Sequence, residues 1–329
     1  ISAFIYPTTP KVDVEGVPVG EQAILSKWDA KKKKGYGLFI NEEGELEFKL
    51  GGGRGKVSSF SSRKPLLRKV WYKVFASYDA EKGQVVIGQI PYLTATNGGH
   101  GMSMLHPREE TEVVKKYSAP AISLSQNECP LLMAASTSET HTGRLLSGGH
   151  YDHLKEPLEV PEHTTKFNGK IERPRLSNAA LGRDQIEILL NNQRLEGIPT
   201  ELRSSIIGFW DFCENISIDA ASTKITDCSP NHLHGVGVNL PVRGVIGHNW
   251  SSHFMSFKHG PQEYGAIHFH DESVDDARWK NSFTLKITDK MTSGVYAARL
   301  RVNGKSTPDH EDYIPFFVKP PSGTTTASI

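Results

Sequence analysis

What most constrains this chain is a succession of short β-patterned runs, each closed by turn chemistry, that fills roughly its first ninety residues. Ala3-Phe4-Ile5-Tyr6, Ala23–Trp28, Tyr36–Ile40, Leu46–Leu50, Val70–Tyr78 and Gln84–Ile87 are separated by clusters such as Asn41-Glu42-Glu43-Gly44 and Glu81-Lys82-Gly83. Branched and aromatic residues fit a pleated surface, whereas Gly, Asn and Asp supply the turns. Short strands at such spacing specify an antiparallel sandwich or barrel. In Leu46-Glu47-Phe48-Lys49-Leu50 the three apolar side chains fall on one face and the two charged ones on the other.

Between Thr94 and Glu162 the pattern breaks into long loops with a few strands, around Asn97-Gly98-Gly99-His100-Gly101 and Gly148-Gly149-His150. Phe167–Leu176 returns to a strand. One helix follows, because Ile186, Leu189 and Leu190 take helical spacing between Asp184 and the stop at Gly197 and Pro199. From Ile206 the chain is again β-rich, through Gly208–Phe212, Gly265–His270, Phe283–Ile287, Gly294–Leu300 and Tyr313–Val318. It then enters a linker-like Lys-Pro-Pro-Ser-Gly-Thr tail. The first strand has no obvious partner, which favours residues 204–318 completing a sandwich that lacks N-terminal strands over their forming one of their own.

The 38 basic and 37 acidic side chains of the 329 residues leave a net charge of +1, so no global field draws the chain to nucleic acid or an anionic membrane. No apolar run approaches the roughly 20 residues of a membrane-spanning helix. The opening Ile-Ser-Ala-Phe-Ile-Tyr has a strand pattern rather than that of a signal peptide, and its lack of Met suggests a piece of something longer. Cys129, Cys213 and Cys228 are odd in number and form no CxxC, so buried free thiols in a reducing, cytoplasmic compartment are expected.

Several motifs invite chemistry. Gly51-Gly52-Gly53-Arg54-Gly55-Lys56-Val57 and Gly304-Lys305-Ser306 fail the phosphate-loop pattern and are expected to be hairpin turns. His268 and His270 lie two apart on a strand, hence on one side, and with Asp271 they form a fallback metal set of two imidazoles and a carboxylate. The other reading makes them hydrogen-bonded structural residues of a half-buried strand. Further histidines cluster as His150/His153, His232/His234 and the neighbourhood of His248, His253 and His259. No Gly-x-Ser-x-Gly elbow is present. Glu109-Glu110 and Asp275-Asp276 are expected to be solvated, and Lys31–Lys34 an exposed hairpin tip without the interleaved aromatics that base stacking wants.

Residues 1–185 resemble the concanavalin A-like, laminin G-like jelly-roll sandwich. The resemblance lies in Ala3–Pro7, Gln22–Asp29, Gly35–Leu38, Trp71–Asp79 and Phe167–Leu176. The chain as a whole is similar to the large (beta) subunits of bacterial N,N-dimethylformamidases, in Gly208–Phe212, Asn231–Gly235, Asn239–Arg243, Gly247–Trp250, Glu263–Asp271, Ser293–Leu300 and Ile314–Val318.

That resemblance implies a mainly β chain. Its expected parts are a sandwich over 1–185, a helical connector over 186–203, a second β-rich segment, immunoglobulin-like or a partial sandwich, over 204–318, and a linker over 319–329. It further implies a hydrolase that splits formamides into formate and amine with a mononuclear iron held by two tyrosines and a glutamate. Those ligands belong to a glutamine-amidotransferase-like domain downstream of Ile329, so no catalytic residue, metal ligand or cofactor site is expected among these residues. The implied partners are that domain and a homo- or hetero-oligomer with a small subunit. A rival reading is a stand-alone carbohydrate-binding module using Trp28, Tyr36, Trp71 and Tyr78. A third is an enzyme complete in this chain, with a metal on His268 and His270.

Overall fold

In a computed structural model the early alternating runs become β1 (Ser2–Pro7), β2 (Gln22–Asp29), β3 (Lys34–Ile40), β4 (Glu45–Gly53), β5 (Lys56–Pro65), β6 (Trp71–Asp79) and β7 (Gln84–Tyr92). The structure describes residues 1–13, 16–53, 55–94, 112–122, 124, 127–139, 143–146, 151, 154–216, 223–270, 280, 282–302 and 311–325. The chain continues through β8 (Val113–Ser118), β9 (Leu132–Met133), β10 (Ser136–Thr137), β11 (Gly143–Leu146), β12 (Leu158–Pro161), β13 (His163–Thr164) and β14 (Gly169–Ser177). Helices α1 (Arg183–Asn191) and α2 (Thr200–Arg203) precede β15 (Ile206–Phe209), β16 (Lys224–Ile225), β17 (Gly235–Val236), β18 (Val242–Val245), β19 (Ala266–Phe269), β20 (Gly294–Arg301) and β21 (Glu311–Val318). Two compact units result, Ile1–Ser273 and Val274–Ile329.

The first unit is built on two large antiparallel sheets, beside three two-stranded ones, β10-β13, β11-β12 and β16-β17. One has eight strands in the order β18-β19-β14-β1-β6-β7-β8, with β15 also on β14; the other has five, β5-β4-β3-β2-β9. Alternation dictates how they meet: Ile5, Tyr72, Val74, Ile87 and Ile171 of the first sheet pack in one core with Ile24, Leu38, Leu46, Phe48 and Leu50 of the second. Burying each such side chain is worth about 1.5–3 kcal/mol. The turns behave as their chemistry demands. Lys31–Lys34 joins β2 to β3, and the Gly-rich stretch joins β4 to β5 with Gly53 and Gly55 at positive φ.

The expectation of an unpartnered first strand is corrected. β1 lies inside the larger sheet, bonded to β6 on one side and β14 on the other. Its partners come from far along the chain, where no local pattern can announce them. The same sheet runs across residue 204, since β15 and β19 both pair with β14.

The other face of the eight-stranded sheet is covered by α1 and the segment after it. Ile186, Leu189 and Leu190 of α1 bury against Phe4, Trp71, Phe75, Ile90 and Phe209. The helix starts where Gly182 N–H donates to Gln185 Oε1 at 3.0 Å, and Asn192 Nδ2 bonds the Ile188 carbonyl at 2.8 Å at its end.

In the second unit β20 and β21 form a hairpin of eight cross-strand pairs, from Gly294 opposite Val318 to Arg301 opposite Glu311. Phe283–Ile287, expected as a strand, has strand alternation but no strand pairing among the described residues.

Candidate functional site

Strand register gathers polar and aromatic side chains from distant parts of the chain on the helix-covered face of the larger sheet. Tyr6 stands opposite Lys170 and Phe4 opposite Glu172; Lys170 in turn faces His268, and Trp71 faces Tyr92. A register shift between β1 and β14 inserts an extra residue around Arg173, which takes φ +48°. This bulge puts Glu172 and Arg175, three residues apart, opposite Phe4 and Ser2, two apart, so both charged side chains share one face.

The centre of this face is a buried Glu172–His248 pair. Glu172 is 0% exposed and His248 4%. One carboxylate oxygen, Glu172 Oε2, accepts from the His248 backbone N–H at 2.7 Å and from the ring Nδ1 at 2.8 Å. The imidazole stacks on Phe4 with centroids 3.6 Å apart and meets Tyr92 edge-on at 5.0 Å and Trp71 at 6.3 Å. Burial alone would raise the Glu172 carboxyl, but the charge and hydrogen bonds of His248, with Arg173, outweigh it and hold the group below the ordinary carboxylate range. Two glycines let the covering loop approach this closely. A Cβ on Gly247 would lie 2.6 Å from Glu172 Oε2, and one on Gly265 2.5 Å from Cys213 Sγ.

Beside the pair lies a second buried charge. Arg175 is 1% exposed, donates from Nη1 to the Trp210 carbonyl at 2.6 Å and the Pro174 carbonyl at 3.1 Å, and lies 3.4 Å over the Phe209 ring. Burial, with the neighbouring Arg173 charge, lowers its guanidinium to about 9. Arg173 donates to the Leu190 carbonyl at 3.2 Å, tying β14 to α1. Asp227 plays an analogous part nearby. Its carboxylate accepts from the backbone N–H groups of Phe209, Ser229 and Leu233 at 2.8, 2.9 and 2.7 Å, and its own N–H donates to His234 Nδ1 at 3.1 Å.

The three thiols are free. Burial and the charge of Asp211 push Cys213 far above the ordinary thiol range, and the same two causes push Cys228 up to about 11. Neither has the electropositive setting of a nucleophile.

The structure brings the His268 and His270 rings to 5.1 Å, with His268 half-buried on β19 and His270 exposed. Burial, His270 and Lys170 all lower the His268 imidazole. Asp271 lies outside the described residues, as do Glu109, Glu110, Asp275, Asp276, His150, His153 and Gly304-Lys305-Ser306. Among the described residues no group of three His, Cys, Asp or Glu side chains is placed to hold a metal ion. Trp28 and Trp71 are buried, Tyr36 packs against the core, and the half-buried Tyr78 bonds the Pro120 carbonyl, so these four do not form an exposed stacking platform. No helix among the described residues is long and apolar enough to cross a membrane.

Sequence reasoning missed Glu172, Arg175 and Asp227. Glu172 and His248 are separated by 76 positions, and strand register together with the close approach at Gly247 brings them together. What the arrangement does chemically is fix position: each carboxylate and guanidinium holds backbone from another element, and the Glu172–His248 pair is closed to solvent.

Comparison with known proteins agrees with the whole-chain pattern. Residues 242–329 match the family described as "N,N-dimethylformamidase beta subunit-like, C-terminal". The chain is 33% identical over 332 residues to the N,N-dimethylformamidase beta subunit of an Alcaligenes species, and 33% identical over 333 residues to that of Paracoccus aminophilus. In both cases the match covers 100% of this chain and 38% of the relative, so the chain spans well under half the length of these relatives. A solved structure from Bacteroides ovatus, described provisionally as carbohydrate-binding, matches 71% of this chain and 50% of its own at 14% identity and a TM-score of 0.39, a likeness too slight to carry an argument. With both relatives matched from one end of this sequence to the other, the chain belongs to the N,N-dimethylformamidase beta-subunit-like family.

Proposed function

We propose that these residues are the non-catalytic β-rich scaffold region of an amidohydrolase of the dimethylformamidase type. The observation that carries this reading is that identity extends over the whole of this chain yet over only 38% of each relative, which leaves most of the relatives' length for the chemistry. The site supports it. Glu172, Arg175 and Asp227 are committed to internal hydrogen bonds, and Cys213 and Cys228 are held as thiols.

On this reading the two-sheet body is laminin G-like. Its partners are a downstream glutamine-amidotransferase-like domain and further subunits, in the reducing cytoplasm. An iron bound in that domain would supply Lewis-acid chemistry to the amide. The described residues of this chain offer no ligand set for it, so no step of the hydrolysis is assigned to them. Their part is to cover the catalytic domain and shape access to it.

The test is dimethylamine release from N,N-dimethylformamide in the presence of ferrous iron, by the 329 residues alone and by the longer natural polypeptide. The reading expects activity in the second sample only. Iron-dependent turnover by the 329 residues would refute it.

A further inference from the structure

In the second unit the described strands have the chemistry of a sandwich, yet Val318 is their one buried apolar side chain. On one face of the β20–β21 hairpin, Val295 is paired with Phe317, Ala297 with Pro315 and Arg299 with Tyr313. Val295 is 71% exposed, Phe317 74% and Tyr313 53%. At one end Arg299 and Arg301 pair with Glu311, giving the apolar patch a charged rim. The opposite face presents Tyr296 stacked on Phe316, with Ile314 and Leu300 exposed. Phe283, Leu285 and Ile287 add a third alternating run, all three exposed and without strand pairing among the described residues.

A two-stranded ribbon is marginal in water, and becomes stable when further strands or a packed layer cover an apolar face. We propose that the Val295–Phe317 face is covered by a later stretch of the same polypeptide, which lays an apolar layer on it to complete a β-sandwich. This rests on the reading that the chain is one region of a longer subunit, and names the surface through which it is joined to the rest.

Two observations favour this occupant over a second copy of the chain. The first is area. Eight residues at about 3.4 Å each across two strands about 5 Å apart give a face of only about 270 Å². A stable interface between separate molecules needs about 800 Å² per partner. A covering segment on the same chain avoids the entropy cost of association and can use so small a face. The second is length: more than half of each relative lies outside the span matched here, so chain is available to do it.

The test is hydrogen exchange read by mass spectrometry on the full-length subunit and on the 329-residue chain. Amides of 294–301 and 311–318 are expected to exchange about 100-fold more slowly in the full-length subunit. In full-length Phe317→Asp that protection falls, while peptides of β1 and β14 keep theirs. Equal exchange in the two wild-type chains overturns the proposal, as does undiminished protection in Phe317→Asp. Protection in the 329-residue chain that rises with its concentration points to a second copy and also overturns it. Catalytic activity in the 329 residues would refute the scaffold reading without altering these exchange rates, so the two failures are distinguishable.

Discussion

Removing the His248 ring should be among the most costly single changes in the first unit. At the 2.8 Å separation of Nδ1 and Glu172 Oε2, an imidazolium and a carboxylate attract by about 6 kcal/mol at an effective dielectric of 20. A neutral ring still gives a charge-assisted hydrogen bond worth about 1.5–3 kcal/mol. His248→Ala also loses the stack on Phe4 and strands a carboxylate with no exposure, for which the expected cost is about 3–5 kcal/mol. Urea unfolding followed by tryptophan fluorescence measures it, Trp71 lying beside the ring. The second arm is Glu172→Gln combined with His248→Ala. With the charge gone, the double variant should be markedly more stable than the sum of the two single losses allows. A cost below about 1 kcal/mol for His248→Ala, or strict additivity in the double variant, would refute the argument. The pH dependence has a definite sign. The Glu172 carboxyl lies below its unfolded value, so its contribution is complete above about pH 4.5 and is lost as pH falls toward the folded value. Glu172→Gln should remove that acid-side loss.

Three further outcomes follow from local geometry. Gly247→Ala should cost about 1–3 kcal/mol in thermal unfolding, since its Cβ meets Glu172 Oε2, whereas Gly20→Ala, with nothing within 4 Å, should change stability by less than about 0.5 kcal/mol. Asp227→Ala should lose at least about 2 kcal/mol by calorimetry, because three backbone N–H groups lose their acceptor. Iodoacetamide at pH 8 should leave Cys213 and Cys228 unmodified in the native chain and alkylate both in urea, as intact mass will show, because burial holds both as thiols.

Local features were legible where local forces decide them. The alternation of Leu46, Phe48 and Leu50, the helical spacing of Ile186, Leu189 and Leu190, the turn at Lys31–Lys34 and the hairpin between β4 and β5 each appear where the pattern puts them, though Gly51–Gly53 belong to β4 itself. The family pattern across the chain was legible as well, and the relatives bear it out. The partners of β1 were not, because both neighbours lie more than sixty positions away and leave no trace near residues 2–7. The Glu172–His248 pair was hidden for the same reason, and a charged run such as Glu172-Arg173-Pro174-Arg175 normally signals solvent. Here all three charged members are buried, and the bulge at Arg173 sets Arg175 on the same face as Glu172. Phe283–Ile287 shows the converse failure: alternation makes a segment suitable for a sheet, but hydrogen bonds to a neighbour make the strand.

The interior position of β1 also sets a timetable for the chain as it is made. At about 5–20 residues per second, roughly 10 to 30 s separate the emergence of Ser2–Pro7 from that of Gly169–Ser177. Through that interval an apolar strand can close one ladder, with β6, while its other edge stays open beside the ribosome. Truncations ending before β14 should therefore be sticky nascent chains rather than smaller folded proteins. The cell's means of shielding that edge, not the intrinsic speed of pairing, would then govern the yield of folded protein.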